Sequence, residues 1–171
     1  MNTETERAED QAAGVAELIE ALGAQGGTTA RDARERLVKM GSAAEPALIA
    51  ALDSPNTQRR WEAGKALGDI GTPGAAERLA RLLQDDDGGV RWVAADALIA
   101  IGPSALPAVL RALIDHSESA VMREGAHHIL RAFSENKRVA PLVAPILSGL
   151  EGPAAPVACL APAEDALRTL A

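Results

Sequence analysis

The chain has 171 residues, a net charge of −7 and a pI near 5.0. This acidic balance disfavours nonspecific binding to nucleic acid or to anionic membranes. No apolar run reaches the roughly 18 residues that a membrane-spanning helix needs, and the polar N-terminus lacks the apolar stretch of an export signal. Cys159 is the single cysteine, so an intramolecular disulfide is excluded. We therefore expect a cytoplasmic protein.

The hydrophobic residues are mostly small. They make up 47% of the chain, but 37 of them are alanine, whereas there are two tryptophans, one phenylalanine and no tyrosine. Alanine is the strongest helix former, and its small side chain lets neighbouring helices approach closely. The composition therefore favours a protein of tightly packed helices.

The first predicted element is a helix at Val15–Leu22, which three glycines, Gly23, Gly26 and Gly27, would end. Three similar segments follow at intervals of 30 and 31 residues, each ending in a glycine: Gly41, Gly71 and Gly102. Aligned on these glycines, the segments place leucine in one column and alanine in another; the columns are Leu37, Leu67 and Leu98, and Ala33, Ala63 and Ala94. The spacing predicts an amphipathic helix in each segment.

A second helix is predicted after each glycine, at Glu45–Leu52, Ala76–Gln84 and Leu106–Asp115. The glycine supplies the left-handed cap that lets the chain reverse. Pro46 and Pro107 fall in the first turn of a second helix, where proline is tolerated. Each unit is thus predicted to be helix, tight turn, helix and polar turn.

A fourth unit is less regular. Its first helix is predicted at Ala120–Phe133, with Ile129 in the leucine column and Phe133 in place of the glycine. Its second helix, at Val139–Leu150, is expected to be short or bent because it contains two prolines, Pro141 and Pro145. A last short helix is predicted at Ala163–Leu170.

Self-similarity at this period is typical of solenoids, in which each unit buries its apolar face against its neighbours. The predicted fold is an all-α solenoid, a right-handed superhelix of about four helical hairpins with irregular caps. The predicted divisions are an N-terminal capping helix region, four repeat units and a C-terminal cap, at residues 1–27, 28–56, 57–87, 88–118, 119–151 and 152–171.

The third unit carries a family resemblance. Its first helix (VRWVAADALIAIG, residues 90–102) is similar to the short bacterial HEAT-like repeat family that includes the phycobilin lyases, whose pattern is V-R-x-x-A-A-x-A-L-x-x-I-G. The second unit matches less fully, and the first departs further because Arg36 stands in an alanine column. The resemblance covers residues 28 to 150. It implies helical hairpins that serve as scaffolds, lyase subunits or enzymes.

The two tryptophans occupy one column of consecutive units. On a helical wheel Trp92 points away from the apolar face, so the stacked units are predicted to form an outward line of Arg31, Trp61, Trp92 and Arg123. An aromatic pair rimmed by arginines is the composition of a protein-binding hot spot. The alternative is that each tryptophan packs locally over alkyl stems and loop prolines.

Other arginines also have two interpretations. Arg60 and Arg91 recur with the period, and we expect them to pair with turn carboxylates such as Asp53, Asp85 and Asp115 rather than to bind an anion. The second helices carry few charges, among them Arg78, Arg81 and Arg111. Their small-residue groove is suited to a partner helix or to the chain's own C-terminal segment.

Two constellations suggest chemistry only weakly. Glu124, His127 and His128 lie within one helical turn, but a metal site would need ligands from elsewhere, so no metal is expected. The pair Trp92 and Asp96 is similar to one in alkylpurine DNA glycosylases built of HEAT-like repeats, although those bind DNA on a basic concave surface. The chain shows no paired nucleophile and base, phosphate loop or zinc spacing.

We therefore expect a non-catalytic scaffold or adaptor that binds another protein, through the tryptophan line together with part of the groove. No cofactor, metal, nucleic acid or membrane is expected as a partner. The alternatives are a subunit of a bilin lyase or chromophore-handling enzyme and, with less support, a HEAT-like DNA glycosylase.

Overall fold

The computed structural model describes residues 3–25 and 27–170, with side chains from residue 12 onward. Gly26, one of the glycines predicted to end the first helix, lies outside these residues. Helices dominate the described part of the chain. They are α1 (Thr3–Ala21), α2 (Thr28–Met40), α3 (Glu45–Ala51), α4 (Thr57–Ile70), α5 (Ala76–Leu82), α6 (Gly88–Ile101), α7 (Leu106–Asp115), α8 (Ala120–Phe133), α9 (Ala140–Glu151), α10 (Ala155–Ala158) and α11 (Leu160–Leu170).

These helices form a two-layer array. The first helices of the four units, α2, α4, α6 and α8, pack side by side in chain order. From the second unit on, each first helix also packs against the second helix of the preceding unit, which is α3, α5 or α7. Each unit therefore completes its core with its neighbours, and the predicted all-α solenoid is confirmed.

Side-chain caps fix where three of the first helices begin. Asn56, Asp87 and Ser119 each accept a hydrogen bond from the backbone N–H three residues later, at 3.0, 3.0 and 3.3 Å. Such a cap satisfies one of the N–H groups that lack a partner within the helix. The three caps also align the units, because residues that follow their caps by the same number of positions are structurally equivalent.

Glycine ends the first helix of units one to three, as predicted. Gly41, Gly71 and Gly102 have φ of 59°, 74° and 84°. Only Gly71 is in the left-handed helical region, since the other two combine positive φ with ψ of −131° and −162°. Residues with a side chain rarely adopt these backbone conformations, so glycine permits the reversal into the short 3-10 turn that follows.

The core is built from the predicted columns. Leu37, Leu67 and Leu98 are fully buried, and the alanines of the second column are 3% exposed or less. The helices α4 and α6 approach so closely that a Cβ on Gly68 would lie 2.9 Å from Ala97 Cα. Small residues thus set the spacing of the first-helix layer.

The fourth unit departs from the prediction in its register. Counted from the caps, Leu130 rather than Ile129 takes the place of Leu67 and Leu98, and Ser134 rather than Phe133 takes the place of the glycine. The alignment on Phe133 was wrong by one residue because this unit has no glycine to mark the end of its first helix. Ser134 instead caps α8 with φ of −62°.

The second helix of the fourth unit is α9, whose ends lie within one residue of the predicted Val139–Leu150. Its 12 residues show that its two prolines do not shorten it. Pro141 lies in its first turn, and the carbonyl left without a partner by Pro145 is that of the exposed Pro141. Water can satisfy that carbonyl, which makes the interior proline tolerable. The helix α1, in contrast, is longer than expected and begins twelve residues before the predicted Val15.

The C-terminal segment folds back on the array. The helix α11 packs against both α7 and α9, and α10 packs against α9. A Cβ on Gly149 would lie 2.7 Å from the Ala158 carbonyl oxygen, so glycine is needed where α9 meets α10. Cys159 is fully buried at the junction of α10 and α11. Of the two occupants considered for the second-helix surface, the chain itself covers part of α7 and α9.

Within the described ranges, no single helix combines the length and apolarity needed to cross a membrane. The pair α6 and α7 meets that compositional test only jointly, across a bend of 114°.

Candidate functional site

An arginine stands four residues after each of the three side-chain caps. In each case Nη1 donates a hydrogen bond to the backbone carbonyl six residues earlier: Arg60 to Ser54 at 2.9 Å, Arg91 to Asp85 at 2.7 Å and Arg123 to Ser117 at 2.6 Å. The repeated bond fixes each guanidinium against the polar turn that precedes its own helix.

This pattern corrects the predicted tryptophan line. Trp61 and Trp92 lie five residues after their caps, and the residue at that position in α8 is Glu124, not Arg123. Arg123 instead belongs with Arg60 and Arg91. The column is therefore Arg31, Trp61, Trp92 and Glu124, and the tryptophan of the third unit is followed by a carboxylate rather than by a guanidinium.

The first of these arginines pairs with a carboxylate of the turn that leads into the next unit, as predicted. Arg60 donates from Nε and Nη2 to the two carboxylate oxygens of Asp85, at 2.7 and 2.8 Å. Burial of the Asp85 carboxylate acts to raise its pKa, but hydrogen bonds from Arg60 and the Asp87 backbone N–H outweigh burial and hold the pKa below its ordinary value. In its charged form the pair therefore holds the turn before α6 against α4.

The substitution Asp85→Asn tests this contribution. We expect it to lower the free energy of unfolding by about 1–2 kcal/mol at pH 7, because the charge-assisted pair is lost. Since the folded-state pKa of Asp85 is depressed, its stabilising effect is complete above the ordinary aspartate pKa and is lost as the pH falls through the lower folded value. Urea unfolding at pH 7 and pH 3 should show the difference between the proteins shrinking in acid.

The exposed neighbour Asp86 supplies the control, and Asp86→Asn is expected to change stability by less than about 0.5 kcal/mol. A difference between Asp85→Asn and the parent protein that stays constant between pH 7 and pH 3 would show that the carboxylate charge contributes nothing.

The second arginine lacks the carboxylate that the first one has. Arg91 Nη1 donates to the carbonyls of Asp85 and Asp86, at 2.7 and 3.2 Å, as Arg60 Nη1 does to those of Ser54 and Pro55. In the position equivalent to Asp85, two residues before the next cap, the chain has Ser117. Among the residues that the structure describes, Arg91 Nε and Nη2 have no hydrogen-bond partner.

The two tryptophans also differ in their surroundings. Trp61 is half-buried, with its Cδ1 atom 3.7 Å from the place where a Cβ of Gly89 would stand. The position equivalent to Gly89 in α8 is Val121, which carries a branched side chain. Trp92 is 59% exposed and stacks on His128, with ring centroids 5.2 Å apart. The interpretation of local packing therefore fits Trp61, whereas most of the Trp92 side chain is exposed to solvent.

A cavity of about 270 Å³ lies beside Trp92, between α6 and α8. Its apolar wall includes Leu83 and Val121, and its polar groups come from three side chains, those of Arg91, Glu124 and His128. The contribution of α8 was not predicted from the sequence, because the register error placed Arg123 beside Trp92. The caps at Asp87 and Ser119 are the signal that would have aligned the two helices correctly.

The remaining candidate residues are not part of this cavity. Arg31 and Arg81 are exposed, on α2 and α5. Arg78 forms an ion pair with Asp53, and Arg111 with Glu77, so these two arginines link second helices to acidic groups of the preceding unit.

The two histidines of α8 contact different residues. His127 Nε2 lies 3.3 Å from Glu151 Oε1, whereas His128 contacts Trp92 and lies 4.0 Å from Asp96 Oδ1. In the part of the chain that the structure covers, no three His, Cys, Asp or Glu side chains are grouped as metal ligands. The imidazole of His128 therefore lies next to both members of the pair Trp92 and Asp96.

Comparison with known proteins supports the architecture. The family model described as HEAT repeats matches residues 7–99 and 45–131, which together span more than half of the chain. No curated protein matches the sequence. Together with the stacked helical hairpins, the family match shows that the chain belongs to the HEAT-repeat family.

Proposed function

We propose that this chain is a non-catalytic interaction module, an adaptor or scaffold that binds another protein through the surface around Trp92. The observation that carries the proposal is the exposed indole beside the cavity between α6 and α8. Tryptophan is enriched among the residues that dominate binding energy, particularly where it borders a pocket that a partner side chain can fill. HEAT-type arrays are suited to this role because the stacked units present a continuous surface.

The enzyme alternatives have less support. At the surface around Trp92, the cavity of about 270 Å³ suits one side chain better than a ligand as large as a bilin. DNA binding would need a basic surface, whereas the chain has a net charge of −7 and the Trp92 ring is stacked on His128. We therefore favour a protein partner, and we propose the cytoplasm as the compartment in which the module acts.

The test is capture of a partner by the immobilised full chain from a lysate of its native source, with mass spectrometry to identify what binds. We expect Trp92→Ala to weaken capture of the main partner by about thirtyfold or more, as for a hot spot worth at least about 2 kcal/mol. Circular dichroism should show that the helices are retained, because Trp92 contributes little to the core.

Lys137→Ala is the matched control, since Lys137 is exposed in the turn between α8 and α9, away from the cavity. Its capture should equal that of the parent protein. If Trp92→Ala also captures the partner at the parental level, the surface around Trp92 is not the binding face.

A further inference from the structure

We infer that the cavity between α6 and α8 binds a partner segment in which one carboxylate is followed by an apolar side chain. This inference rests on the proposed function and specifies the chemistry of the partner at the same surface. The carboxylate would bind to Arg91 Nε and Nη2, and the apolar side chain would fill the cavity against Trp92.

The chain supplies a template for the carboxylate. Arg60 and Arg91 hold their guanidinium groups in the same way, with Nη1 bound to two carbonyls of the preceding turn. In Arg60 the remaining edge, Nε and Nη2, binds both oxygens of Asp85. For Arg91 the residue equivalent to Asp85 is Ser117, so within the described part of the chain the same edge has no carboxylate to bind. A carboxylate from outside can take this place in the bidentate geometry that arginine favours.

The apolar part of the segment follows from the cavity beside Arg91. Leu83, Ala95 and Val121 line it together with the indole of Trp92, and its volume of about 270 Å³ suits one large side chain rather than a long ligand. Gly125 also lines the cavity, and its lack of a side chain leaves this space open, since a Cβ there would lie 3.3 Å from Leu83 Cδ2. Burial of an apolar side chain in this space excludes water from the neighbouring ion pair, which strengthens it.

The surrounding charges limit how acidic the segment can be. Glu124 lines the same cavity, and Asp86 and Asp87 lie in the turn directly before α6. A second carboxylate would be repelled by these groups, whereas basic residues on either side of the first would be attracted. The occupant is therefore a segment with a single carboxylate, and not an acidic tract.

The probe is an acetylated and amidated hexapeptide of sequence Lys-Gly-Asp-Leu-Gly-Lys, tested against versions with Asn, Lys or Ala in place of Asp and with Ala in place of Leu. Binding is followed by Trp92 fluorescence in a Trp61→Phe background and by NMR. Because the contact is small, we expect a Kd on the order of 1 mM for the Asp peptide. Each of the other peptides should bind about tenfold more weakly.

Two protein variants test the role of Arg91. Ser117→Asp supplies the missing carboxylate from within the chain, so it should raise thermal stability and weaken peptide binding about tenfold. Arg91→Gln should weaken binding by a similar factor, and it decides the question if Ser117→Asp does not fold. The control Arg36→Gln, at an exposed arginine on α2 outside the tryptophan column, should bind like the parent protein.

Three results would overturn the inference: no peptide binding, equal binding by Arg91→Gln and the parent, or tighter binding of the Lys peptide, which would mean that Glu124 selects a cation. None of these outcomes bears on whether a native partner needs Trp92. Capture that depends on Trp92 but not on Arg91 would leave the proposed function intact and remove only this inference.

Discussion

Replacing Arg34 with alanine is expected to lower the free energy of unfolding by about 3 kcal/mol, because it leaves a buried carboxylate without its countercharge. Arg34 on α2 donates from Nη1 to Glu62 Oε2 on α4 at 2.5 Å. Glu62 is only 3% exposed, and its other oxygen accepts from Gln58 Nε2 at 3.0 Å. The remaining bond from Gln58 cannot offset the charge. Urea unfolding at pH 7, followed by circular dichroism, measures the loss.

The next interface of the array provides the control. The residues equivalent to Arg34 and Glu62 are Gly64 and Val93, and Val93 Cγ1 lies 3.2 Å from the position of a Cβ on Gly64. The same place in the fold thus accepts an apolar contact. The double variant Arg34→Ala with Glu62→Val should return to within about 1 kcal/mol of the parent, since a well-packed apolar pair can replace a buried ion pair. If the double variant is as unstable as Arg34→Ala, the loss comes from alkyl packing and not from the charge.

Repetition made most of the fold predictable from the sequence. Each leucine and alanine column was visible in three copies, so Leu37, Leu67 and Leu98 could be assigned to the core without knowledge of their contacts. The glycines marked the ends of the first helices because positive φ is costly for other residues. The second helices were placed within two residues of their observed ends, and α7 at its observed ends.

The candidate site was less predictable because it depends on differences between units rather than on their common pattern. A helical wheel could place Trp61 and Trp92 in one column, but it could not show that Gly89 lies beside Trp61 or that Val121 lines the cavity beside Trp92. The register of α8 decided whether Arg123 or Glu124 stood beside Trp92. That register was fixed by the cap at Ser119. Such a cap is a weaker signal in the sequence than the glycine that ends the first helix of the other three units.

The position of the C-terminal segment could not be derived from periodicity at all. Pro153, Pro156 and Pro162 favour an irregular cap, but they do not indicate that α11 packs against both α7 and α9. The close approach at Gly149 was equally hidden, because such a glycine looks like any other in the sequence. Only its distance to the Ala158 backbone shows that a larger residue would not fit there.

Gly149→Ala is accordingly expected to detach α10 and α11 from α9. The added Cβ would lie 2.7 Å from the Ala158 oxygen and 3.0 Å from Cys159 Cα, and these backbone atoms cannot move without shifting the segment. We expect the substitution to lower the free energy needed to open this segment by about 2 kcal/mol, because the clash outweighs the gain in helix propensity. Burial raises the pKa of the Cys159 thiol and keeps it unreactive in the closed form.

The single cysteine makes this opening directly measurable. Labelling of Cys159 by an aromatic disulfide reagent at pH 8 should become about thirtyfold faster in Gly149→Ala, because the reactive open form is more populated. Gly14→Ala on α1 is the control: no heavy atom lies within 4 Å of its added Cβ, so it should stabilise the helix slightly and leave labelling unchanged. Unchanged labelling in Gly149→Ala would mean that α9 and α10 adjust together, and that the C-terminal helices remain docked on α7 and α9.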